Sequence, residues 1–245
     1  MRIPRIYVDE LITDGSTFEL PEEAANHVGR VLRMEAGREL ILFDGQQHNG
    51  SYGEFDALIT DVGKRHVAVS IKNFRPVANE SPLAIELGQG ISKGDRMDYT
   101  IQKAVELGVT SITPLWTERC DVKLKGERLE KKLAHWQQVA ISACEQSGRC
   151  RVPVIEEPRD LHVWLKTCNS ELKWALDPRG PQQVLPQKIS SCDLLVGPEG
   201  GLTDEEIALA LQENFQAKVL GPRILRTETA ALAAMSMLQS LYGDY

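Results

Sequence analysis

Hydrophobic residues in the first part of the chain recur in short runs that turn-forming residues interrupt. The runs at 39–43 and 54–60 are rich in β-forming residues, and Asp-Gly follows the first of them as a turn signal. One helix is expected at 21–34, where a proline and two acidic residues suit a helix N-terminus. Several short strands at this spacing predict a small β-barrel over residues 1–75.

The pattern changes after residues 76–82, a proline-containing segment that we interpret as a linker. From residue 83 to 245, apolar strands alternate with amphipathic helices, which predicts a parallel sheet with helices on both faces. The strands are expected at residues 83–87, 109–116, 172–176, 194–196 and 218–220. Because such sheets bind ligands at the carboxyl ends of their strands, the loops that follow the strands are the candidates for chemistry.

The first glycine loop, residues 197–202, follows one of these strands and leads into a helix expected at 203–213. Its glycines allow the backbone to pass close to a ligand. The helix start carries a predicted capping box of Thr203 and Glu206. The acidic first turn already complements the helix dipole, so a phosphate would be repelled there, and no dinucleotide or triphosphate fingerprint is present. Taken alone, the loop also fits a plain strand–helix turn.

The second glycine loop, residues 221–226, follows the last predicted strand and runs into a polar cluster before an alanine-rich helix. Charged side chains packed this closely are costly unless they are exposed or used, because a buried charge needs a partner. Taken alone, the cluster also fits a helix start, with Thr227 or Thr229 as the cap and Arg226 and Glu228 as a surface pair.

Composition adds an acidic balance to this picture. The net charge is −7, with 42% hydrophobic and 26% charged residues, which is ordinary for a globular protein. An acidic chain argues against an extended RNA-binding surface, because phosphate contacts need lysine and arginine. Any RNA surface must therefore be local; the basic run at 119–132 is one candidate, although such runs are commonly solvated faces.

The five cysteines lack the paired spacing of a zinc site, and their odd number fits free thiols in a reducing compartment. No apolar run approaches the roughly 20 residues that span a bilayer, and the first residues lack the apolar region of a signal peptide. We therefore expect a cytoplasmic protein with no metal and no membrane partner.

Taken together, the two glycine loops resemble the second and third motifs of the SPOUT methyltransferases, whose C-terminal segment threads a preceding loop to form a trefoil knot. Three further segments, residues 93–97, 102–108 and 144–149, resemble those of the bacterial small-subunit ribosomal RNA uridine-N3 methyltransferases of the RsmE type. The resemblance extends over essentially the whole chain. It implies an α/β fold, with a knotted methyltransferase domain at 83–245 behind a PUA-like β-barrel at 1–75.

The resemblance also implies a cofactor, a partner and a substrate. S-adenosyl-L-methionine (SAM) would be held bent by the backbone of both loops and by the end of the strand at 172–176; it carries no phosphate, in agreement with loops that lack an anion clamp. Family members act as homodimers on 16S ribosomal RNA. The residues expected to bind SAM are Leu176, Gly197, Gly200, Gly201, Leu220, Gly221, Leu225, Thr229 and Ala230.

Methylation at N3 of uracil requires a single-stranded or flipped-out base, because N3 lies on the Watson–Crick edge. The N3 proton must also leave, so the site has to favour the anionic base. We predict that Arg226 donates to a uracil carbonyl or the adjoining phosphate, and that Glu228 or Glu199 accepts the proton. Arg149 is expected to contact RNA, but its charge could instead satisfy carbonyls at the end of a helix. The residues expected to contact RNA are Arg2, Arg5, Arg30, Arg33, Lys93, Arg96 and Arg149.

Three other functions stay open from the sequence alone. The chain could methylate a ribose 2′-OH, or act without catalysis as a ribosome-assembly factor that binds RNA through the barrel. A nicotinamide oxidoreductase is disfavoured by the missing dinucleotide fingerprint. The acidic charge favours a structured particle over bare RNA as the substrate.

Overall fold

The computed structural model describes residues 3–180 and 185–245. The chain divides into two compact units. The first consists of Met1–Glu80 together with Cys144–Val152, and the second of Ser81–Ala143 together with Pro153–Tyr245.

The first unit is built on a five-stranded mixed sheet. Its strands are β1 (Arg5–Tyr7), β2 (Thr17–Glu19), β3 (Glu39–Phe43), β4 (Gly53–Val62) and β5 (Val67–Pro76), in the order β1-β3-β4-β5-β2. β1 pairs with β3 in parallel, whereas the other pairings are antiparallel. Alternate strand residues, such as Leu40, Leu42, Val67 and Val69, fill the core of this unit, as expected for strands with one buried face.

Two details of the first unit differ from the sequence prediction. The helix expected at 21–34 is a short helix α1 (Glu22–Asn26) that continues as a π-helical turn at His27–Val31. Glycine and β-branched valines in this turn are weak α-helix formers, which fits the widened hydrogen bonding. β2 was missed because it has three residues, none of them buried, and so carries no hydrophobic alternation.

The second unit contains a seven-stranded sheet in which every pairing is parallel. Its strands are β6 (Ala84–Gly90), β7 (Ser111–Trp116), β8 (Val154–Ile155), β9 (Arg159–Asp160), β10 (Leu172–Leu176), β11 (Ser191–Val196) and β12 (Gln216–Lys218). The order is β12-β10-β11-β6-β7-β8, and β9 also pairs with β7. The predicted parallel sheet is confirmed; the two-residue strands β8 and β9 were missed.

Helices connect these strands, as the alternating pattern predicted. They are α2 (Asp95–Glu106), α3 (Glu127–Ser147), α4 (Leu161–Thr167), α5 (Asp204–Gln212) and α6 (Thr227–Tyr242), with the residues of α3 up to Ala143 belonging to this unit. The capping box at α5 is confirmed: the Thr203 hydroxyl accepts a hydrogen bond from the backbone N–H of Glu206, and the Glu206 carboxylate accepts one from the N–H of Thr203.

Two boundaries near the second glycine loop were predicted wrongly. The last strand ends at Lys218 and not at Leu220, because its partner strand β10 ends at Leu176, which lies opposite Lys218. The sequence pattern predicts the last helix at 230–242, but the helix begins at Thr227. The polar cluster at 226–229 therefore forms the cap and first turn of α6, while Leu220 lies in the connection before it.

Candidate active site

A cavity of about 500 Å³ opens in the second unit at the carboxyl ends of β10, β11 and β12. The first and second glycine loops contribute most of its wall, together with the segment after β10 and the start of α6. Its lining residues include Arg96, Arg119, Leu176, Asp177, Arg179, Gly197, Glu199, Gly200, Gly201, Lys218, Leu220, Gly221, Arg223, Leu225, Arg226, Glu228 and Ala230. The cavity thus lies where ligands of open parallel sheets bind.

The structure brings almost all of the predicted cofactor residues to this cavity. The lining residues among them are Leu176, Gly197, Gly200, Gly201, Leu220, Gly221, Leu225 and Ala230. Thr229 is the exception: it is exposed and lies outside the lining. Because α6 starts at Thr227, residue 229 points about 200° around the helix from residue 227, away from the cavity wall. Its place in the cofactor site stays a prediction.

Glycines shape the walls of the cavity in two ways. Gly90, at the end of β6, lies directly against the first glycine loop, and a Cβ there would be only 2.5 Å from the backbone nitrogen of Pro198. Gly221, in the second loop, has a φ of 111°, a conformation that a side chain would strain. Gly90 therefore allows β6 to pack against the first loop, and Gly221 allows the second loop a backbone conformation that other residues would strain.

Glu199, one of the predicted proton acceptors, lines the cavity and is held by two donors. Its Oε1 accepts hydrogen bonds from the backbone N–H of Lys93 at 2.8 Å and from Arg96 Nη1 at 2.9 Å. Partial burial would raise the pKa of the carboxyl, but these hydrogen bonds outweigh it and lower the pKa below its usual value. A carboxylate stabilised in this way is a weak proton acceptor.

Glu228, the other predicted acceptor, is in a different environment. It lies in the first turn of α6 and lines the cavity. Its Oε2 is buried and has no hydrogen-bond partner among the described residues. A buried carboxylate oxygen without a donor is costly, so it marks a place where a ligand can supply the missing partner.

Arg226 and Arg223 project from the second glycine loop at the same cavity. Both side chains are exposed, and neither side chain forms a hydrogen bond or an ion pair with any residue that the structure describes. The three other lining arginines are engaged, Arg96 with Glu199 as described above. Arg119 donates to the carbonyl of Gly200 at 2.9 Å, and Arg179 pairs with Asp204 at 2.6 Å. The second loop therefore presents the cations that are available to an anionic substrate.

Sequence reasoning missed several lining residues. Asp177 is buried, and its Oδ1 accepts hydrogen bonds from the backbone N–H and Nε of Arg179. Asp177, Pro178 and Arg179 directly follow the predicted strand at 172–176, so their position in the sequence was an available signal. Gln89, which lies in β6 and outside the cavity lining, was also missed. It is fully buried and donates to Thr227 Oγ1, and an amide at the end of an apolar strand was the available clue.

The predicted RNA-binding residues are distributed over both units. Arg30 and Arg33 are exposed in the first unit. Lys93 pairs with Asp121, and Arg96 with Glu199, both in the second unit and both partly exposed. Arg2 lies outside the described residues.

The structure gives the remaining two arginines a structural role, which corrects their assignment to RNA. Arg5 is 8% exposed; its Nε pairs with Glu54 at 2.6 Å and its other nitrogens donate to the carbonyls of Cys144, Glu145, Gly148 and Arg149. Arg149 is 4% exposed and pairs with Glu80 at 2.6 Å. Arg5 therefore satisfies carbonyls at the end of a helix, the alternative that had been considered for Arg149.

The described residues contain neither a metal site nor a membrane-spanning helix. No group of histidine, cysteine, aspartate or glutamate side chains in this part of the chain is arranged to hold a metal ion. Among the helices that the structure describes, none combines the length and the apolar character needed to cross a membrane.

Comparisons with known proteins agree with this architecture. The family model for the RNA methyltransferase domain matches residues 79–239, and that for the RNA methyltransferase PUA domain matches residues 20–72. The ribosomal RNA small subunit methyltransferase E of Buchnera aphidicola is 38% identical, over 99% of this chain and 98% of its own. A Legionella pneumophila methyltransferase solved with bound SAM is 44% identical with a TM-score of 0.95, and both chains are covered completely.

A further solved structure points the same way. The ribosomal RNA small subunit methyltransferase E of Neisseria gonorrhoeae, bound to SAM, is 40% identical with a TM-score of 0.91, again over the whole of both chains. The fold and the site thus define an RNA methyltransferase of the knotted α/β class with an N-terminal PUA domain, and the predicted fold class is confirmed. Within that class, the chain belongs to the ribosomal RNA small subunit methyltransferase E family.

Proposed function

We propose that this protein transfers the methyl group of SAM to N3 of a uridine in 16S ribosomal RNA. The observation that carries the proposal is the single cavity on which both glycine loops, Arg226 and Glu228 converge. Further support comes from the family, whose members carry names that describe small-subunit ribosomal RNA methylation, and from two relatives of 40% or more identity that bind SAM.

The cavity fits SAM in size and in chemistry. Its volume lies in the range of about 300–1,000 Å³ that is typical of small-molecule sites. Glycine backbone and apolar residues such as Leu176 and Leu225 make up much of its wall, which suits an adenosine group. The unpartnered carboxylate oxygen of Glu228 suits a ligand that carries positive charge. Bound SAM supplies an electrophilic methyl group, and the chain's own residues do the rest.

The residues of the chain have two tasks in this reaction. They must hold the uracil with N3 in line with the methyl group at roughly 3–3.5 Å, and they must stabilise the negative charge of the deprotonated ring. Arg226 donates to a uracil carbonyl or to the adjoining phosphate. Glu228 accepts the N3 proton. Glu199 is the weaker acceptor, because Lys93 and Arg96 lower its pKa, and it serves mainly to hold the first loop.

The proposal extends to the organisation of the chain. Residues 1–75 form the RNA-binding domain, 76–82 the linker and 83–245 the methyltransferase domain. The active protein is a homodimer that works in the cytoplasm on RNA within the small ribosomal subunit. Ala233, Met237 and Leu241 support the dimer, because they form an apolar stripe on α6 that is not fully buried. Light scattering of the purified chain tests the dimer, and the mass of a monomer would contradict the proposed dimer.

The activity is tested with purified protein, SAM and small ribosomal subunits from cells that lack the gene. The expected product is N3-methyluridine, located by mass spectrometry after nuclease digestion. Methylated ribose would replace the base assignment with the 2′-O reaction. Absence of SAM binding in calorimetry at micromolar concentration would favour a non-catalytic assembly factor.

The role of Glu228 is tested by single-turnover methylation as a function of pH. Glu228→Gln is expected to lower the rate at pH 7 by about 10²-fold or more, the usual range for loss of a general base. The deficit should shrink at high pH, where solvent removes the N3 proton. Glu157→Gln, which alters an exposed carboxylate outside the cavity lining, is the matched control. An unchanged rate and pH profile would remove Glu228 as the base, and the same assay on Glu199→Gln would then test the second candidate.

A further inference from the structure

A buried set of hydrogen bonds joins the first glycine loop to the residue that follows the second loop, and two of its members, Gly197 and Thr227, line the cavity. The Thr227 hydroxyl donates to the carbonyl of Gly197 at 2.6 Å and accepts from Gln89 Nε2 at 2.9 Å. Gln89 Nε2 also lies 3.1 Å from the carbonyl of Gly90 and 3.5 Å from that of Gly197. Gln89 is fully buried and Thr227 is 7% exposed. The set therefore ties the end of β6, the first loop and the start of α6 to one another.

Thr227 does not use its hydroxyl for its own helix. The cap of α6 is Arg226, which makes no side-chain capping hydrogen bond, and Thr227 is the first helical residue. Both hydrogen-bonding capacities of its hydroxyl are used on groups outside the helix. A threonine whose role was only to start α6 would have no need of these partners, so its contacts point to the loops.

The burial of Gln89 has a cost in free energy, which also indicates that its side chain serves the loops. Its Oε1 is buried and has no hydrogen-bond partner in the described part of the chain. An apolar side chain of similar length would fill the same space without this cost. What the glutamine adds is the N–H donor at Nε2, and that donor is directed at Thr227 and at two backbone carbonyls of the site.

The position of Thr227 gives these contacts a consequence for the chemistry. It lies between Arg226 and Glu228, the proposed donor and the proposed proton acceptor, and both of these line the cavity. At the other end of the set, Gly197 lines the cavity with the first loop. Fixing Thr227 against Gly197 therefore fixes the reactive side chains relative to the backbone that holds the cofactor.

We infer that Thr227 and Gln89 are positioning residues that hold the two glycine loops in the arrangement required to bind SAM and to present its methyl group. The inference rests on the proposed function. It assigns a role to two side chains that need not touch the reacting atoms, and it acts through Gly197, Arg226 and Glu228.

The test compares Thr227→Val, which keeps the shape and removes the hydroxyl, with Thr227→Ser, which keeps the hydroxyl. For each full-length variant, SAM affinity is measured by calorimetry, the single-turnover rate at saturating SAM by methyl transfer, and the thermal midpoint by circular dichroism. Thr227→Val is expected to raise the Kd for SAM and to lower the saturated rate by about 10-fold each. Thr227→Ser should stay within about 3-fold of the unchanged protein in both.

Thr110→Val is the matched control, because the Thr110 hydroxyl also donates to a backbone carbonyl, that of Ile85, but at the amino-terminal end of the sheet. It should lower the thermal midpoint and leave the SAM affinity within about 2-fold. Gln89→Met is the second variant and should weaken SAM binding in the same direction as Thr227→Val. The double variant Gln89→Met with Thr227→Val should lose less than the product of the two single effects, since both act on one hydrogen-bonded set.

Each outcome has one meaning. A folded Thr227→Val or Gln89→Met that binds SAM and transfers methyl within about 2-fold of the unchanged protein overturns the inference. Equal losses in Thr227→Ser and Thr227→Val would also overturn it, because the hydroxyl would then not be the cause. If the unchanged protein itself binds no SAM, the proposed function fails, and that result is separate from the behaviour of the variants.

Discussion

Two pairs of arginines show how differently one residue type is used in the two units. In the first unit, Arg5 and Arg149 are buried and bound to glutamates, and Arg5 also satisfies several carbonyls. In the second unit, Arg223 and Arg226 are exposed at the cavity and have no partner among the described residues. The first pair is part of the fold, whereas the second pair is available to a ligand.

The difference teaches that positive charge alone does not identify an RNA contact. All four arginines are equally visible in the sequence, and Arg5 and Arg149 were assigned to RNA on that basis. Burial decides the matter, because a buried guanidinium must be neutralised and hydrogen-bonded within the protein. The arginines that remain free are those on a loop after a parallel strand, where ligands bind.

The largest expected effect tests the structural arginine. Arg5→Met should destabilise the protein by about 3–5 kcal/mol, since it leaves the buried Glu54 with only its second, partly exposed partner Arg75 and leaves several carbonyls without donors. The measurement is the free energy of urea unfolding. Arg65→Met, an exposed arginine 3.9 Å from Glu22, is the control and should change stability by less than about 1 kcal/mol. Equal stability of the two variants would show that Arg5 is dispensable to the fold.

The second effect concerns the free arginine. Arg226→Met should lower the single-turnover methylation rate at saturating SAM by about 10²-fold, the usual loss when one donor to a developing negative charge is removed. Its free energy of unfolding should change little, because no described residue pairs with Arg226. Lys166→Met, an exposed cation on α4, controls for the change in net charge. A rate within about 3-fold of the unchanged protein would exclude Arg226 from the chemistry.

A smaller effect is expected at Arg33, an exposed arginine of the first unit. Its φ of 51° lies in the left-handed region, so Arg33→Asn removes the charge without adding backbone strain. RNA affinity should fall a few-fold, and the slope of log K against log salt should fall by about one, as expected for one lost phosphate contact. An unchanged salt slope would show that Arg33 does not contact RNA phosphate.

The smallest expected effect concerns stability and tests a carboxylate, Asp98, that is paired within the fold. Burial would raise the pKa of Asp98, but hydrogen bonds from His135 and Lys132 lower it below its usual value. A folded pKa below the unfolded one stabilises the protein above the unfolded pKa, and this contribution is lost as the pH falls through the folded value. The stability difference between the unchanged protein and Asp98→Asn should therefore be largest near neutral pH and decline below about pH 4.

The corresponding control is Glu157→Gln, which alters an exposed carboxylate. Its effect on the free energy of unfolding should be small and nearly independent of pH. A pH-independent difference for Asp98→Asn as well would mean that its partners do not stabilise the charged form.

Local signals in the sequence were sufficient for part of the structure. The capping box of Thr203 and Glu206 depends on residues three apart, so both its pattern and its geometry could be predicted. The convergence of the two glycine loops on one cavity could also be predicted, because parallel strands present their carboxyl ends at one edge of a sheet. These features require no knowledge of distant contacts.

Contacts between distant residues could not be predicted in the same way. Gln89 and Thr227 are separated by 138 positions, and nothing in their own neighbourhoods indicates that they meet. The end of β12 is set by the end of β10, its partner strand, and the apolar residues after Lys218 therefore gave a misleading signal. The burial of Arg5 likewise depends on carbonyls from the far end of α3.

The acidic start of α5 has one further consequence, for discrimination among the adenosine compounds of a cell. Asp204, Glu205 and Glu206 occupy the first turn of a helix whose preceding loop lines the cavity. In nucleotide-binding folds the equivalent helix end attracts phosphate, but here carboxylates already take that place. Nucleotides such as ATP and NAD share the adenosine group with SAM and would meet repulsion at this turn. We expect this repulsion to weaken the binding of such nucleotides relative to SAM, whose adenosine carries no phosphate.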